Sequence, residues 1–367
     1  MNMKHIAVIH LGINGAGPVY TLEMVRALSM QGCPVLAIIS KWVDNLNDWC
    51  YEEEKGSIKL LLVNSYTSKK DYIQKTLHIN CFFRIYQCIR EFKADIVYSP
   101  MADLWQPFIF GFCVPKKILR VKTIHDMSVH LGESTYIRRL FHRFVFKQAD
   151  KVITLSRVFV ENIREQGIKA ENIIVIPHAN FSYYNAPAVL PSFMYHNRIL
   201  FFGRILEYKG LGILLDAMKL VLRENSNLKL VIAGNGELEK YREKLMELSD
   251  AVELHNENIQ NEAVASYFET VDFVVLPYLE ASQSGVIPLA YSFGKPVIAS
   301  RLGGIPEQVS ESTGILVEPN NIQELADSII SLSTNLEKME YLGRNAKHFA
   351  DTELSWSKSA EILLNNL

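Results

Sequence analysis

The 367-residue sequence has no Cys-x-x-Cys pair; its five cysteines, Cys33, Cys50, Cys81, Cys88 and Cys113, are scattered singly through the first third. That spacing provides neither a zinc-ligand set nor the framework of a disulfide-stabilised secreted domain, so the five read as reduced packing residues. There is also no Asp-x-Asp pair with which to hold a divalent ion against a diphosphate. The longest apolar run, Trp105 to Pro115, is interrupted by Gln106, Pro107 and Gly111, and it falls short of the ~18 residues that suggest a spanning helix. Internal repeats and low-complexity segments are missing as well. The chain enters the strand-like "KHIAVIHLG" directly, with no signal-peptide pattern, so the expected location is the cytoplasm.

What is present is a globular composition, 49% hydrophobic and 21% charged, on a chain long enough for two domains of ~100–200 residues each. The net charge of −2 conceals an asymmetry. Residues 1–190 carry 23 Lys and Arg against 16 Asp and Glu, a balance of +7, whereas residues 191–367 carry 15 against 24, a balance of −9. A basic half suits an anionic neighbour, either nucleic acid or an anionic membrane surface. Nucleic acid is disfavoured, since no recognised binding module with base-stacking aromatics occurs and the second half is acidic.

Short β-branched runs recur at 5–11, 34–40, 58–64, 95–100, 119–125, 151–156 and 173–177, several separated by stretches at helical spacing. The second half repeats the pattern at 198–204, 228–234, 252–256, 273–278, 296–300 and 314–319. This alternation predicts two doubly wound α/β domains with parallel sheets. Residues 177–197 contain three prolines and no clear period, so the linker is expected there, with the boundary near Pro187 to Pro191. The expected first domain is 1–187 plus a returning terminal helix at 352–367, and the second is 192–351. In such sheets ligands sit at the carboxyl ends of the strands.

Three strand-to-helix crossings carry residues suited to a phosphate. After the first run, Gly12, Gly15 and Gly17 precede a helix, an arrangement that lets backbone N–H groups approach an anion or simply makes a tight turn. The spacing is not that of a dinucleotide fingerprint, and no acidic residue is evident ~20 positions on, which argues against a dehydrogenase. After the run at 198–204, Arg204 and Lys209 could clamp a diphosphate as a planar fork and a point charge, or be two solvated surface cations. Gly234 and Gly236 follow the next strand and permit a turn beside a ring or ribose. Ser282, Gln283, Ser284 and Gly285 open the helix after 273–278, and their small side chains are expected to expose its free amides. Charge on a departing diphosphate would then be neutralised without a metal or other cofactor. His125 ends a strand in the basic half, either to orient a hydroxyl or to pack in the core.

The ordered set of "TIHD" (123–126), "ADKVITLS" (149–156), "IIVIPH" (173–178), "FFGRILEYKG" (201–210), "AGNGE" (233–237), "SGVIPLAYSFGKPVIAS" (284–300), "GGIPE" (303–307) and "LSW" (354–356) resembles the retaining GT-B glycosyltransferases of family four. The resemblance covers nearly the whole chain. It implies two Rossmann-like domains facing each other across a cleft that closes on the donor. By position, Arg204 and Lys209, with Gly203 beside them, would bind the donor diphosphate, and His125 would lie at the reacting sugar. Gly15, Gly17 and the amides of Ser284, Gly285 and Val286 would touch sugar or phosphate, with Gly234 and Gly236 lining the donor site. The family's Glu-seven-Glu pair is absent: aligned ungapped, its positions are Ala281 and Leu289, with Glu280 one residue away and Gln283 able to supply a polar contact.

The resemblance implies transfer of a sugar, with retained configuration, from a UDP- or GDP-sugar to a saccharide acceptor in surface polysaccharide or glycoconjugate synthesis. A nucleotide-sugar epimerase of the same fold and a catalytically silent nucleotide-binding partner are the alternatives. The basic, aromatic stretch 135–151, with Arg138, Arg139, Arg143 and Lys147, suits either an anionic bilayer bearing a lipid-linked acceptor or an ordinary half-buried helix.

Overall fold

The computed structural model describes residues 3–125, 148–187, 190 and 194–367. All thirteen β-branched runs carry strands, and every strand pairing is parallel. The first sheet contains β1 (Ile6–His10), β2 (Val35–Ser40), β3 (Lys59–Val63), β4 (Ile96–Ser99), β5 (Leu119–Ile124), β6 (Lys151–Thr154) and β7 (Ile173–Val175). The second contains β8 (Arg198–Phe202), β9 (Lys229–Ala233), β10 (Val252–His255), β11 (Phe273–Leu276), β12 (Val297–Ser300) and β13 (Gly314–Val317). The strand orders are β3-β2-β1-β4-β5-β6-β7 and β10-β9-β8-β11-β12-β13. Each sheet is therefore doubly wound, with its order reversing between β1 and β4 or between β8 and β11, where a crevice opens at the carboxyl ends.

The burial pattern explains why these runs become strands. All five residues of β1 and all six of β2 are buried, as expected for parallel strands covered on both faces. The covering helices supply one apolar stripe each. Leu211–Glu224 buries Leu211, Leu214, Leu215, Ala217, Met218 and Val221 against the second sheet, the positions that the helical period selects.

The chain divides into two compact units, Met1–Pro177 with Trp356–Leu367, and His178–Ser355. The segment after Pro177 joins the second unit because its polar groups are satisfied there. Asn180 donates its N–H to the Leu354 carbonyl (2.8 Å) and its side-chain amide to the Ala350 carbonyl (2.8 Å), and the Phe181 N–H reaches Ser292 Oγ (2.9 Å). The proline-rich stretch near 187–191 thus follows an ordered connection and is not where the units part.

The terminal helix Trp356–Asn365 packs on the helix Ala16–Met30 of the first unit. The Trp356 and Tyr20 rings meet edge to face with centroids 4.7 Å apart, and Gln31 Nε2 donates to Ser357 Oγ at 3.2 Å. Among the described residues no helix is long and apolar enough to cross a membrane. Truncation of Trp356 to Ala, leaving a void against Tyr20, is expected to destabilise the first unit by roughly 3 kcal/mol. Denaturant unfolding of the purified variant measures it, and an unchanged midpoint would show that the terminal helix contributes no stability there.

Candidate functional site

In the second unit, the turns after β8 and β11 flank the reversal of strand order and are pressed together. The Leu279 N–H donates to the Tyr208 carbonyl at 2.7 Å. Gly210 has φ +73°, and a Cβ there would stand 1.8 Å from the Pro277 carbonyl oxygen, so both the conformation and the backbone contact require glycine. This close approach places Lys209 beside Tyr278: its ammonium lies 3.9 Å from the centroid of that buried ring and 5.3 Å from that of Tyr208. A partly desolvated cation–π contact of this kind is worth ~0.5–2 kcal/mol and fixes a lysine that would otherwise sample many rotamers. The Tyr278 hydroxyl in turn bonds Ser284 Oγ at 3.0 Å, so Lys209, Tyr278 and Ser284 form one connected series.

Arg204 stands exposed just past β8, after Gly203. The β9 turn is joined to the same place: Ile205 N–H donates to the Asn235 carbonyl (2.8 Å), and Gly236 N–H donates to Asn256 Oδ1 (2.9 Å). Gly234 has φ +142°, with a hypothetical Cβ only 2.1 Å from the Gly203 carbonyl. Gly203, Arg204, Lys209, Gly234, Gly236 and Ser284 are thereby gathered at the carboxyl edge of the second sheet.

The structure corrects one expectation at the β11 turn. The Ser284 N–H is not free; it donates to Gln308 Oε1 at 2.8 Å, while Gln308 Nε2 returns a bond to the Ser284 carbonyl at 3.0 Å. The Val286 N–H, at the start of the helix Val286–Ser292, is taken by Ser284 Oγ at 3.2 Å. Ser284, one residue before the N-cap Gly285, thus holds the first helical N–H in a side-chain turn to the residue two positions on, a common serine arrangement. Gln283 Oε1 is buried without a hydrogen-bond partner. Ala281 presents its carbonyl to Gly303, Glu280 is half-buried, and Leu289 is buried in the helix.

In the first unit, Asp103 fastens the end of β1 to the segment after β4, accepting from the N–H groups of Leu11 (3.0 Å), Trp105 (2.8 Å) and Gln106 (3.0 Å). Lys122, buried on β5, is pushed down to about 8 by burial, against the attraction of Asp103. His125 is half-buried and hydrogen-bonds the Pro100 carbonyl through Nε2 at 2.7 Å, with Tyr20 edge-on to its ring at 4.9 Å. Nε2 is therefore the donor in that bond. The stretch 135–151 expected to meet a membrane lies outside the described residues over 135–147.

Two histidines escaped the sequence reading. His10 ends β1 beneath the glycine turn, and a Cβ on Gly12 or Gly17 would fall 2.6 or 2.7 Å from its Nε2, so the ring occupies the space those glycines leave. It is 5% exposed, and neither ring nitrogen has a hydrogen-bond partner. Burial lowers its pKa, opposed by Asp103 and by the nearby Met101 carbonyl, which lies outside hydrogen-bond geometry. His178 faces Gly285, whose Cβ would stand 3.2 Å from its Nε2, and Nδ1 donates to the Ala179 carbonyl at 3.0 Å. The available signal was a histidine at or within three residues of a strand's carboxyl end, two positions before Gly12 for His10 and just after Pro177 for His178.

Burial depresses His178 to about 4, against the Ala179 hydrogen bond. A folded pKa below the ordinary 6.5 means that the unfolded chain takes up a proton that the fold refuses. Stability is therefore fully present above pH 6.5 and is lost as the pH falls toward 4, by up to ~3 kcal/mol. Denaturant titrations at pH 7, 5.5 and 4.5 should show this decline, and it should be shallower in His178→Gln; equal slopes would contradict the assignment.

Among the described residues no group of three or more His, Cys, Asp or Glu side chains is placed to hold a metal ion. The family described as Glycosyltransferase Family 4 matches residues 13–179, and that described as Glycosyl transferases group 1 matches residues 196–335. An uncharacterized glycosyltransferase of Methanocaldococcus jannaschii is 29% identical over 244 residues, 66% of each chain. The amylovoran biosynthesis glycosyltransferase AmsK of Erwinia amylovora is 27% identical over 237 residues, 60% of this chain and 57% of its own. The chain thus spans under two thirds of the length of that second relative. The Anabaena protein HepE, solved in complex with UDP and glucose, superposes with a TM-score of 0.73 at 17% identity, covering 99% of both chains, and so shares the fold. With both sheets, their strand orders and both sequence matches in agreement, this chain belongs to the group 1, family 4 glycosyltransferases and has the GT-B fold.

Proposed function

We propose that this chain transfers a sugar, with retention of configuration, from a UDP- or GDP-linked donor to a saccharide acceptor. The observation that carries this reading is the Lys209–Tyr278–Ser284 series at the reversal point of the second sheet. It holds one cation in place beside the exposed Arg204, and two such charges suit a diphosphate. Breaking the bond from the sugar's anomeric carbon leaves negative charge on the departing phosphate oxygen. Fixed cations that meet this charge as it develops lower the barrier without reorganising. On this account Lys209 and Arg204 make metal unnecessary, and His125 orients an acceptor or sugar hydroxyl. Gln283 Oε1, lacking a protein partner, takes a donor hydroxyl where a carboxylate is usual in the family.

UDP is favoured by the nucleotide held in the Anabaena protein, and a polysaccharide context by the name of the Erwinia relative. A lipid-linked acceptor at the inner membrane face, with the chain cytoplasmic and peripheral, fits the basic first half. One observation favours donor binding without turnover as the second reading: Leu289 is buried where the family pattern has its second glutamate.

Lys209→Ala and Arg204→Ala are each expected to lower the rate of sugar release from the turned-over donor by ~100-fold or more, with thermal midpoints close to the parent. Parallel losses of rate and stability would assign these side chains to folding. No turnover by the parent chain with any of a panel of lipid-linked and free saccharides would favour the silent reading.

A further inference from the structure

In the second unit the helix Val286–Ser292 stops at Gly294, which holds φ +65°. The Gly294 N–H bonds the Tyr291 carbonyl and the Lys295 N–H bonds the Ala290 carbonyl, each at 2.9 Å. In this left-handed helix stop the residue after the glycine is commonly apolar and packs back on the helix. Here that residue is a lysine. The helix Leu336–Thr352 closes on the same turn backbone to backbone, since a Cβ on Gly343 would stand 2.4 Å from the Gly294 carbonyl oxygen. Lys295 is thereby held half-buried just before β12, and burial lowers its pKa against the attraction of Asp272 and Glu269.

Lys295 and Glu269 both line a cavity of about 340 Å³ at the amino ends of β8, β11 and β12, the opposite edge of the sheet from Lys209. That volume is at the small end for a ligand pocket. Phe293, Pro296 and Met339, all buried, supply apolar wall. The other charged groups of the cavity are already engaged. Asp272 accepts from the N–H groups of His196 and Arg198 at 2.8 Å each, and Arg344 pairs with Glu340 at 3.1 Å. The side chains of Lys295 and Glu269 attract each other, yet neither makes a hydrogen bond or an ion pair among the described residues. A cation and a carboxylate that share one cavity without touching leave room for a molecule that carries both opposite charges itself.

We propose that this cavity binds a free α-amino acid with an apolar side chain, its carboxylate on Lys295, its ammonium on Glu269 and its side chain against Phe293, Pro296 and Met339. A simple anion would meet Lys295 but would also face the carboxylates of Glu269 and Asp272. A simple cation would meet Glu269 with the half-buried Lys295 ammonium opposing it. A zwitterion pairs with both groups and leaves the charge of the cavity unchanged. Each charge-assisted contact contributes about tenfold or more in affinity. The proposal does not depend on the chain's sugar-transfer activity, and its test uses no donor.

The test is isothermal titration of the full chain at pH 7 with L-leucine, L-phenylalanine and two analogues of the latter, 3-phenylpropionate, which lacks the ammonium, and phenethylamine, which lacks the carboxylate. The expected result is saturable binding of at least one of the two amino acids, with each analogue about tenfold or more weaker than L-phenylalanine if that is the one bound. Glu269→Gln should remove the advantage of the amino acid over 3-phenylpropionate, and Lys295→Met its advantage over phenethylamine. Where L-leucine alone binds, 4-methylpentanoate and isoamylamine take the place of the two analogues. Both substitutions preserve side-chain bulk, and thermal melts check that each variant is folded. No binding of either amino acid at millimolar concentration would overturn the proposal, as would parent-like affinity in both variants. An amine that binds as tightly as the amino acid would identify a cation pocket instead, and a carboxylate that does so an anion pocket.

Discussion

The candidate site in the second unit depends on one backbone contact, the Gly210 turn seated against the Pro277 carbonyl. Any side chain at Gly210 would separate the turns after β8 and β11, and with them Lys209 from Tyr278 and Tyr278 from Ser284. Parallel-sheet topology brings the ends of β8 and β11 side by side, since they pair directly where the strand order reverses. The glycine then lets the two turns close to contact distance. An ammonium over a buried phenol ring follows, and so does the serine that holds the first N–H of the next helix. Chemistry suited to a diphosphate is thus a consequence of packing two loops without a side chain between them.

The first unit follows a different logic. Its carboxyl edge is held by Asp103, which accepts from three backbone N–H groups and lies between two buried basic groups, His10 and Lys122. Burial lowers the pKa of both, against the attraction of Asp103. Among the described residues, the unit's exposed cations include Lys41 and Arg157 just past β2 and β6, as well as Arg84 and Arg90 on the helix Ile79–Glu91 and Lys93 and Lys117 before β4 and β5.

The fold was legible in the sequence because strands of parallel sheets are buried on both faces and read as unbroken β-branched runs, as "IAVIH" and "VLAIIS" do. The glycines and cations at the strand ends were legible too, since they interrupt those runs at fixed places. What could not be read was partnership across the chain: Ser284 with Gln308, Lys209 with Tyr278, and His10 under Gly12 and Gly17. Small residues at a helix start suggest free amides, yet the Gln308 side chain, 24 residues on, occupies one of them. The position where the units part was likewise set by Asn180 and Phe181 bonding to distant groups, with no local signal in the prolines that follow.

The central claim is that the turns after β8 and β11 bind a nucleoside diphosphate through fixed protein cations. Isothermal titration of the parent chain and of Arg204→Ala with UDP, GDP and ADP, EDTA present throughout, tests it most directly. The account predicts saturable binding of one nucleotide to the parent, independent of metal and weakened at least tenfold in the variant. Absence of binding by all three, or binding that requires added magnesium and ignores Arg204, would contradict it.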